Sequence, residues 1–186
     1  MYTIFLTVIF MLTVSIKTFA QQMIPKQKGV ELSYSVFPNS VAKKNYNIAA
    51  GIISYAKNGN YLFALAEYNK KYYEAVDYSI PVNTYLFNGG YSFYLLGDDM
   101  RNVNVNLGMG VLIGYEEINK GNEMLHDGSL ISETENFIYG VTSKLSVELY
   151  LTGHFVFIVN GQLRFLQNSG LNKINTLCGL GLRYNF

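Results

Sequence analysis

Apolar and polar side chains alternate with a period of two residues over most of this chain. Between residues 103 and 116, one row holds Val103, Val105, Leu107, Met109, Val111, Ile113 and Tyr115, and the other holds mostly Asn104, Asn106, Gly108, Gly110, Gly114 and Glu116. Residues 137–151 repeat the pattern, with an apolar row from Phe137 to Leu151 facing a row from Gly140 to Glu148. Because successive side chains of a strand point to opposite faces, this alternation predicts β-strands with one apolar and one polar face.

The alternating segments and their connections predict an all-β fold. Eight segments alternate, at residues 29–37, 46–57, 60–71, 79–96, 102–117, 136–151, 154–166 and 176–186. Short connections at Asn58-Gly59, 97–101 and Thr152-Gly153 take turns with longer polar links near 38–45, 72–78, 118–135 and 167–175. Asn-Gly strongly favours a tight hairpin turn. Short and long connections in turn, with an even strand number, predict an eight-stranded antiparallel up-and-down β-barrel of the bacterial outer membrane.

Alternation alone fits both a membrane barrel and a soluble barrel, but three features favour the membrane. Several segments exceed the roughly 9–11 residues that a spanning strand needs. The polar row is rich in glycine, as the crowded interior of a narrow barrel requires. Aromatic residues gather toward strand ends, where an interfacial girdle belongs, at Tyr46, Tyr61, Tyr85, Tyr115 and Phe137. A lipocalin-like soluble barrel, the alternative, would turn its apolar row inward.

The first twenty residues predict a secretory signal peptide, which leaves residues 21–186 as a single barrel domain. The apolar run from Ile4 to Val14 ends before Lys17 and is shorter than the ~20 residues of a spanning helix. Thr18-Phe19-Ala20 offers a small-x-small cleavage site. No Lys or Arg precedes the apolar run, so an uncleaved membrane anchor is the alternative interpretation.

The last segment carries an apolar row of its own. Within GLGLRYNF, one face holds Leu180, Leu182, Tyr184 and Phe186, and the other holds Gly179, Gly181 and Arg183. The apolar row resembles the C-terminal assembly signal of bacterial outer-membrane barrels. It predicts recognition by the barrel-assembly machinery, whereas the alternative is an ordinary edge strand.

Charged residues on the polar row are expected inside the barrel. There are three of each sign, namely Glu31, Glu116, Lys144, Glu148, Arg164 and Arg183. Eight strands enclose a space just wide enough for side chains to fill. Since unpaired buried charges are costly, we expect these six residues to pair in a plug-like network. A barrel plugged in this way is too narrow for a DNA strand or a folded protein.

The remaining composition excludes several kinds of function. A net charge of +1 gives no electrostatic reason to expect nucleic-acid binding. The single cysteine, Cys178, excludes an intrachain disulfide. His126 and His154 are too few to define a zinc site, although a lipid-modifying barrel enzyme that uses one of them is an alternative. The sequence therefore predicts no catalytic residue, no cofactor and no metal ion.

Five stretches, distributed in order along the chain, carry a family resemblance. They are YAKNGNYLFALAEYN (55–69), YSIPVNTYLFNGGYSFYLLGD (78–98), GYEEINKGNEMLHDG (114–128), ENFIYG (135–140) and GLRYNF (181–186). Together they resemble the conjugal transfer protein TraO family of conjugative transposons. The resemblance implies a non-enzymatic accessory component of a type IV secretion-like apparatus that moves DNA between bacteria, with other conjugal transfer proteins as partners. The predicted barrel adds outer-membrane lipid as a partner.

The sequence also predicts where partners bind and leaves one alternative function open. The link between Ile118 and Glu135 is the expected contact surface, because exposed loops commonly carry function on rigid scaffolds. A general adhesion or envelope-stabilising barrel without a link to conjugation is the alternative function.

Overall fold

The structure, a computed structural model, describes residues 24–38, 45–74, 79–122, 124, 130, 134–170 and 173–186. These residues form a closed barrel in which each strand pairs antiparallel with the next and the last returns to the first. The strands are β1 (Lys28–Val36), β2 (Tyr46–Tyr55), β3 (Tyr61–Glu74), β4 (Ser79–Gly97), β5 (Val103–Ile118), β6 (Glu135–Tyr150), β7 (Phe155–Gln167) and β8 (Ile174–Asn185). The predicted eight-stranded antiparallel up-and-down barrel is confirmed.

Some predictions fall outside the part of the chain that the structure describes. The expected signal peptide, residues 1–20, lies there, and so do His126 and most of the link between β5 and β6. Within the described ranges, no helix has the length and apolarity to cross a membrane.

Three short turns lie at one end of the barrel, together with Lys28 and Phe186, and we call this the turn end. At the β2–β3 turn, Asn58 and Gly59 have φ of 62° and 80°, the left-handed conformation that an Asn-Gly pair adopts readily. The longer links lie at the opposite end, the loop end. The predicted link at 72–78 is too long, because β3 continues to Glu74 and pairs there with Ser79.

The outer surface of the barrel is apolar and the interior is largely polar. Val111 and Val141 face outward and are 61% and 55% exposed, whereas Asn106 and Glu148 on the same two strands are fully buried. Leu112 is an apolar residue on the otherwise polar inner row, and it packs inside the barrel. A soluble lipocalin-like barrel needs the opposite arrangement, so this alternative is wrong.

A belt of aromatic side chains surrounds part of the outer surface near the loop end. The ring centroids of Tyr34, Tyr46, Tyr68 and Tyr85 follow one another at 6.1, 6.2 and 5.3 Å. Strand register continues the row from Tyr85 to Tyr115 and Phe137. The expectation that Tyr61 belongs to this girdle is wrong. Tyr61 is completely buried, because the register of β3 places it on the inner face with Phe63 and Leu65.

Glycine on the inner face allows neighbouring strands to approach closely. A Cβ atom built on Gly51 would lie 2.1 Å from the carbonyl oxygen of Ala64, and one on Gly114 would lie 2.0 Å from that of Tyr85. Any side chain at these two positions would force the neighbouring backbone to move. The inner glycines therefore contribute to the tight curvature of a narrow barrel.

Candidate functional site

The interior near the turn end holds a cluster of four charged residues, the Arg183 cluster, made of Glu31, Lys144, Glu148 and Arg183. The guanidinium of Arg183 donates from Nη2 and Nε to Glu31 Oε2 at 2.8 and 3.2 Å. It also donates from Nη1 and Nη2 to the two carboxylate oxygens of Glu148, both at 2.9 Å. Lys144 Nζ reaches the other oxygen of Glu31 at 3.2 Å. Two cations thus balance two carboxylates in a buried site.

Three tyrosines complete the surroundings of this cluster. Tyr61 and Tyr150 donate their hydroxyl groups to Glu148 at 2.6 and 3.2 Å. The hydroxyl oxygen of Tyr55 accepts a hydrogen bond from Arg183 Nη1 at 2.7 Å. The Arg183 guanidinium also lies 4.4 Å from the ring centre of Tyr61, within range for a cation–π interaction. Arg183 is therefore bound on several sides, as a buried charge requires.

A second group of polar side chains, the Arg164 cluster, lies closer to the loop end. Arg164 forms an ion pair with Glu67 and donates hydrogen bonds to Asn69 and Gln162 at 3.0 and 3.1 Å. Glu67 also accepts a hydrogen bond from Asn88 Nδ2 at 2.7 Å. The sequence-based prediction of interior charges missed Glu67. Its position on β3, two residues from both Leu65 and Asn69, could have revealed it, because alternate residues of a strand share one face.

Glu116 belongs to neither cluster. Its carboxylate accepts hydrogen bonds from the Ser169 hydroxyl at 3.0 Å and from the Gly170 N–H at 2.9 Å. This contact ties β5 to the link that follows β7. The single network expected of six charges is therefore divided into the Arg183 cluster, the Arg164–Glu67 pair and the Glu116 contact.

Apolar side chains fill the space around the two clusters. Phe63 crosses toward two glycines, since a Cβ on Gly90 or Gly110 would lie 2.6 or 3.1 Å from its ring. Leu86, Leu112, Ile138 and Leu166 form a second packed group. A cavity beside Lys71 and Arg164 has a volume of about 10 Å³, which is room for about one water molecule. At these levels the described interior is filled by side chains.

The outward row of β8 lies at the seam that closes the barrel. Leu180, Leu182, Tyr184 and Phe186 are all exposed on the outer surface. Phe186 N–H donates to the Lys28 carbonyl at 2.8 Å, and Lys28 N–H donates back at 3.3 Å. The side chains of this row are accessible from outside, while their backbone holds the seam.

The residues considered for catalysis or metal binding are dispersed. The His154 ring is exposed, stacks on Tyr184 with centroids 5.6 Å apart and places Nδ1 2.7 Å from the Asn185 carbonyl oxygen. Among the described residues, no group of three or more His, Cys, Asp and Glu side chains is placed to hold a metal ion. Cys178 lies alone on the outer surface.

An apolar exterior around a closed eight-stranded wall defines the class of small outer-membrane barrels, and solved structures of this class share the fold. Neisserial surface protein A gives a TM-score of 0.59 at 12% identity, covering 86% of this chain and 95% of its own. The N-terminal barrel of Pseudomonas aeruginosa OprF gives 0.58 at 15% identity, with coverage of 87% and 98%. The attachment invasion locus protein Ail of Yersinia pestis gives 0.55 at 11% identity, with coverage of 88% and 100%.

Residues 24–186 match the family described as conjugative transposon protein TraO. The chain belongs to this family, and the resemblance seen in the sequence is confirmed. None of the curated proteins matches the chain in sequence.

Proposed function

We propose that this protein is a non-enzymatic outer-membrane component of a conjugative DNA-transfer apparatus, with a structural or docking role. Membership of the TraO family supports the link to conjugation. The observation that carries the role is the filled interior, where the Arg183 cluster and the Arg164–Glu67 pair occupy the space that a conduit needs. A barrel filled by buried ion pairs holds its shape but does not conduct DNA.

The outer surface supports a position in outer-membrane lipid. Its apolar rows and the aromatic belt match the arrangement that a bilayer favours, and the solved barrels of the same fold include Neisserial surface protein A. Gel mobility of the protein from isolated outer membranes, with and without boiling, tests this position. A faster unboiled band in that fraction is the expected result, whereas recovery in the soluble fraction without a shift contradicts it.

The loop end of the barrel is uneven, and its taller side supports a docking role. The β2–β3 ladder ends at Tyr46 and Lys70, but β3 and β4 remain paired as far as Glu74 and Ser79. Tyr72 N–H, beyond the end of β2, donates to Asn45 Oδ1 at 2.8 Å, so a side chain covers part of this edge. The extended β3–β4 pair therefore stands beside the link between Ile118 and Glu135, since Val82 on β4 pairs with Ile118 at the end of β5. We propose this link as the contact surface for other transfer proteins.

Deleting residues 121–133 should lower conjugation frequency about tenfold or more, since a docking contact worth about 1.4 kcal/mol changes binding tenfold. The barrel should still assemble, because the deletion leaves all eight strands in place. The measurement is transfer frequency in a mating assay, with heat-modifiable mobility as the check on assembly. Asp98→Asn with Asp99→Asn, at the turn end, is the matched control and should transfer normally. Normal transfer by the assembled deletion variant contradicts the docking role.

Two other functions predict different results. A general adhesion or envelope-stabilising barrel predicts normal transfer in a strain that lacks the protein, together with altered envelope integrity or attachment. A lipid-modifying enzyme needs a catalytic group, yet the exposed His154 ring packs against Tyr184 and lies near the Asn185 carbonyl at the seam. Full activity of a double variant, His126→Ala with His154→Ala, would rule out an enzyme that uses either histidine.

Lys144→Ala tests whether the interior charges are structural. The substitution removes the 3.2 Å contact between Lys144 and Glu31, while Glu31 keeps Arg183 as a partner. Because a hydrogen bond to a charged group contributes about 1.5–3 kcal/mol, we expect the free energy of unfolding to fall by about that amount. Ion conductance in planar bilayers should not change, because the rest of the plug remains. Thermal unfolding and bilayer recording measure the two effects, with Lys57→Ala as an exposed control. A conducting pore in the Lys144 variant would refute the structural role.

A further inference from the structure

Several buried polar groups on one inner wall lack partners within the described structure. They lie on β4, β5 and β6 and comprise Ser92 Oγ, Asn104 Oδ1, Asn106 Oδ1, Asn106 Nδ2 and Ser146 Oγ. Ser92, Asn104 and Asn106 are completely buried, and Ser146 is nearly so. Buried amide and hydroxyl groups are almost always hydrogen-bonded in folded proteins, so this concentration requires a partner.

Strand register brings these groups together. Asn106 pairs directly with Ser146, Asn104 precedes it by two residues on the same face, and Ser92 pairs with Gly108. Gly108 carries no side chain between Ser92 and Asn106, and a Cβ built there would be in ordinary van der Waals contact with Phe63 and Lys144, at 3.5 Å. Ser92, Asn106 and Ser146 therefore lie side by side across three adjoining strands, and Asn104 continues the same face of β5 toward the turn end.

The chemistry of the group favours water over an ion. The unpartnered atoms include carbonyl oxygens that accept, an amide nitrogen that donates and hydroxyl groups that do both. None is charged, and the nearby Lys144 and Glu148 already have their partners within the Arg183 cluster. A cation would leave the amide nitrogen without a partner, and an anion would leave the carbonyl oxygens without one.

We propose that Ser92, Asn104, Asn106 and Ser146 form a binding site for buried water, which hydrates the wall beside the Arg183 cluster. Buried waters typically make about three hydrogen bonds each, so five partnerless atoms correspond to about two molecules. The site lies nearer the turn end than the packed group of Leu86, Leu112, Ile138 and Leu166. This inference depends on interior geometry and not on the proposed role in conjugation.

Water–protein NMR cross-peaks in detergent micelles test the site. The Asn106 side-chain amide should show a nuclear Overhauser cross-peak at the water frequency with the sign of a long-lived contact. Methyl groups of Leu112 and Ile138, which belong to the packed apolar group, should show no such cross-peak. Absence of the Asn106 cross-peak from the folded barrel would overturn the proposal, as would a cross-peak of equal strength at Leu112.

A variant separates bound water from proton exchange through hydroxyl groups. Ser92→Ala combined with Ser146→Ala removes both neighbouring hydroxyl groups, which exchange protons with water and can relay a false signal. The Asn106 cross-peak should persist in this variant, because water still bonds to the Asn104 and Asn106 amides. Its disappearance from a variant with unchanged backbone shifts would show that the hydroxyl groups produced the signal and would overturn the site.

Discussion

Replacing Arg183 with methionine should lower the free energy of unfolding by about 3–5 kcal/mol, the usual cost of removing one partner from a buried ion pair. Arg183 is completely buried and donates hydrogen bonds to Glu31, Glu148 and Tyr55. Methionine fills much of the same volume but leaves the cluster with two carboxylates and only Lys144. Because domains are stable by about 5–15 kcal/mol, this loss removes a large share of the total.

A second substitution distinguishes charge imbalance from lost packing. Glu148→Gln in the Arg183→Met background restores neutrality, because Glu31 keeps its contact with Lys144 at 3.2 Å. The glutamine amide introduced by this substitution retains an oxygen that can accept the hydrogen bond from Tyr61. We therefore expect the double variant to recover at least half of the lost stability.

Urea unfolding in lipid vesicles measures these differences, and Arg101→Met provides the matched control. Arg101 lies exposed at the turn between β4 and β5, so the same chemical change there should cost no more than about 0.5 kcal/mol. The ion-pair argument fails if Arg183→Met and Arg101→Met are equally stable. It also fails if Glu148→Gln adds to the loss, since the buried negative charge would then not be the cause.

The strands could be predicted closely because most of them alternate over much of their length. From Phe137 to Leu151 every second residue except Ser143 is apolar, and β6 begins and ends within one residue of the prediction. β3 was harder, since its inner face begins with Tyr61, Phe63 and Leu65, as apolar as its outer face. That composition explains both errors on this strand, the placement of Tyr61 in the outer girdle and the omission of Glu67.

The contacts of the interior charges could not be predicted as readily as their orientation. Glu31 and Arg183 are direct neighbours in the β1–β8 register, so closure of the barrel is enough to bring them together. Arg164 and Glu67 lie on β7 and β3 and meet only across the interior. The relative height of strands that do not touch depends on the accumulated stagger of every ladder between them, which one sequence does not reveal.

Phe186→Ala should reduce the amount of barrel assembled in the outer membrane about tenfold or more while leaving refolding of the purified protein nearly unchanged. We propose that the outward row Leu180, Leu182, Tyr184 and Phe186 is the signal that the assembly machinery recognises. Phe186 is 61% exposed, and alanine keeps the backbone hydrogen bonds to Lys28 at the seam. The folded state therefore loses only outer apolar surface, about 2 kcal/mol at most.

Phe155→Ala is the matched control because Phe155 is also an outward aromatic residue at the turn end, 50% exposed and in contact with Tyr184. The two variants remove the same side chain from similar surroundings, so their effects on the folded barrel should be alike. Only the Phe186 variant alters the proposed signal. The amount of heat-modifiable barrel in the outer-membrane fraction measures assembly, and the refolding yield in detergent measures intrinsic folding.

The two measurements together decide what the last strand does. Poor assembly of Phe186→Ala with normal refolding, and good assembly of Phe155→Ala, is the result that recognition requires, because a tenfold difference corresponds to about 1.4 kcal/mol of lost interaction with the machinery. Equal assembly of both variants contradicts the signal. If Phe186→Ala also fails to refold alone, the side chain acts in closing the seam between β8 and β1, and the outer row is structural rather than a recognition element.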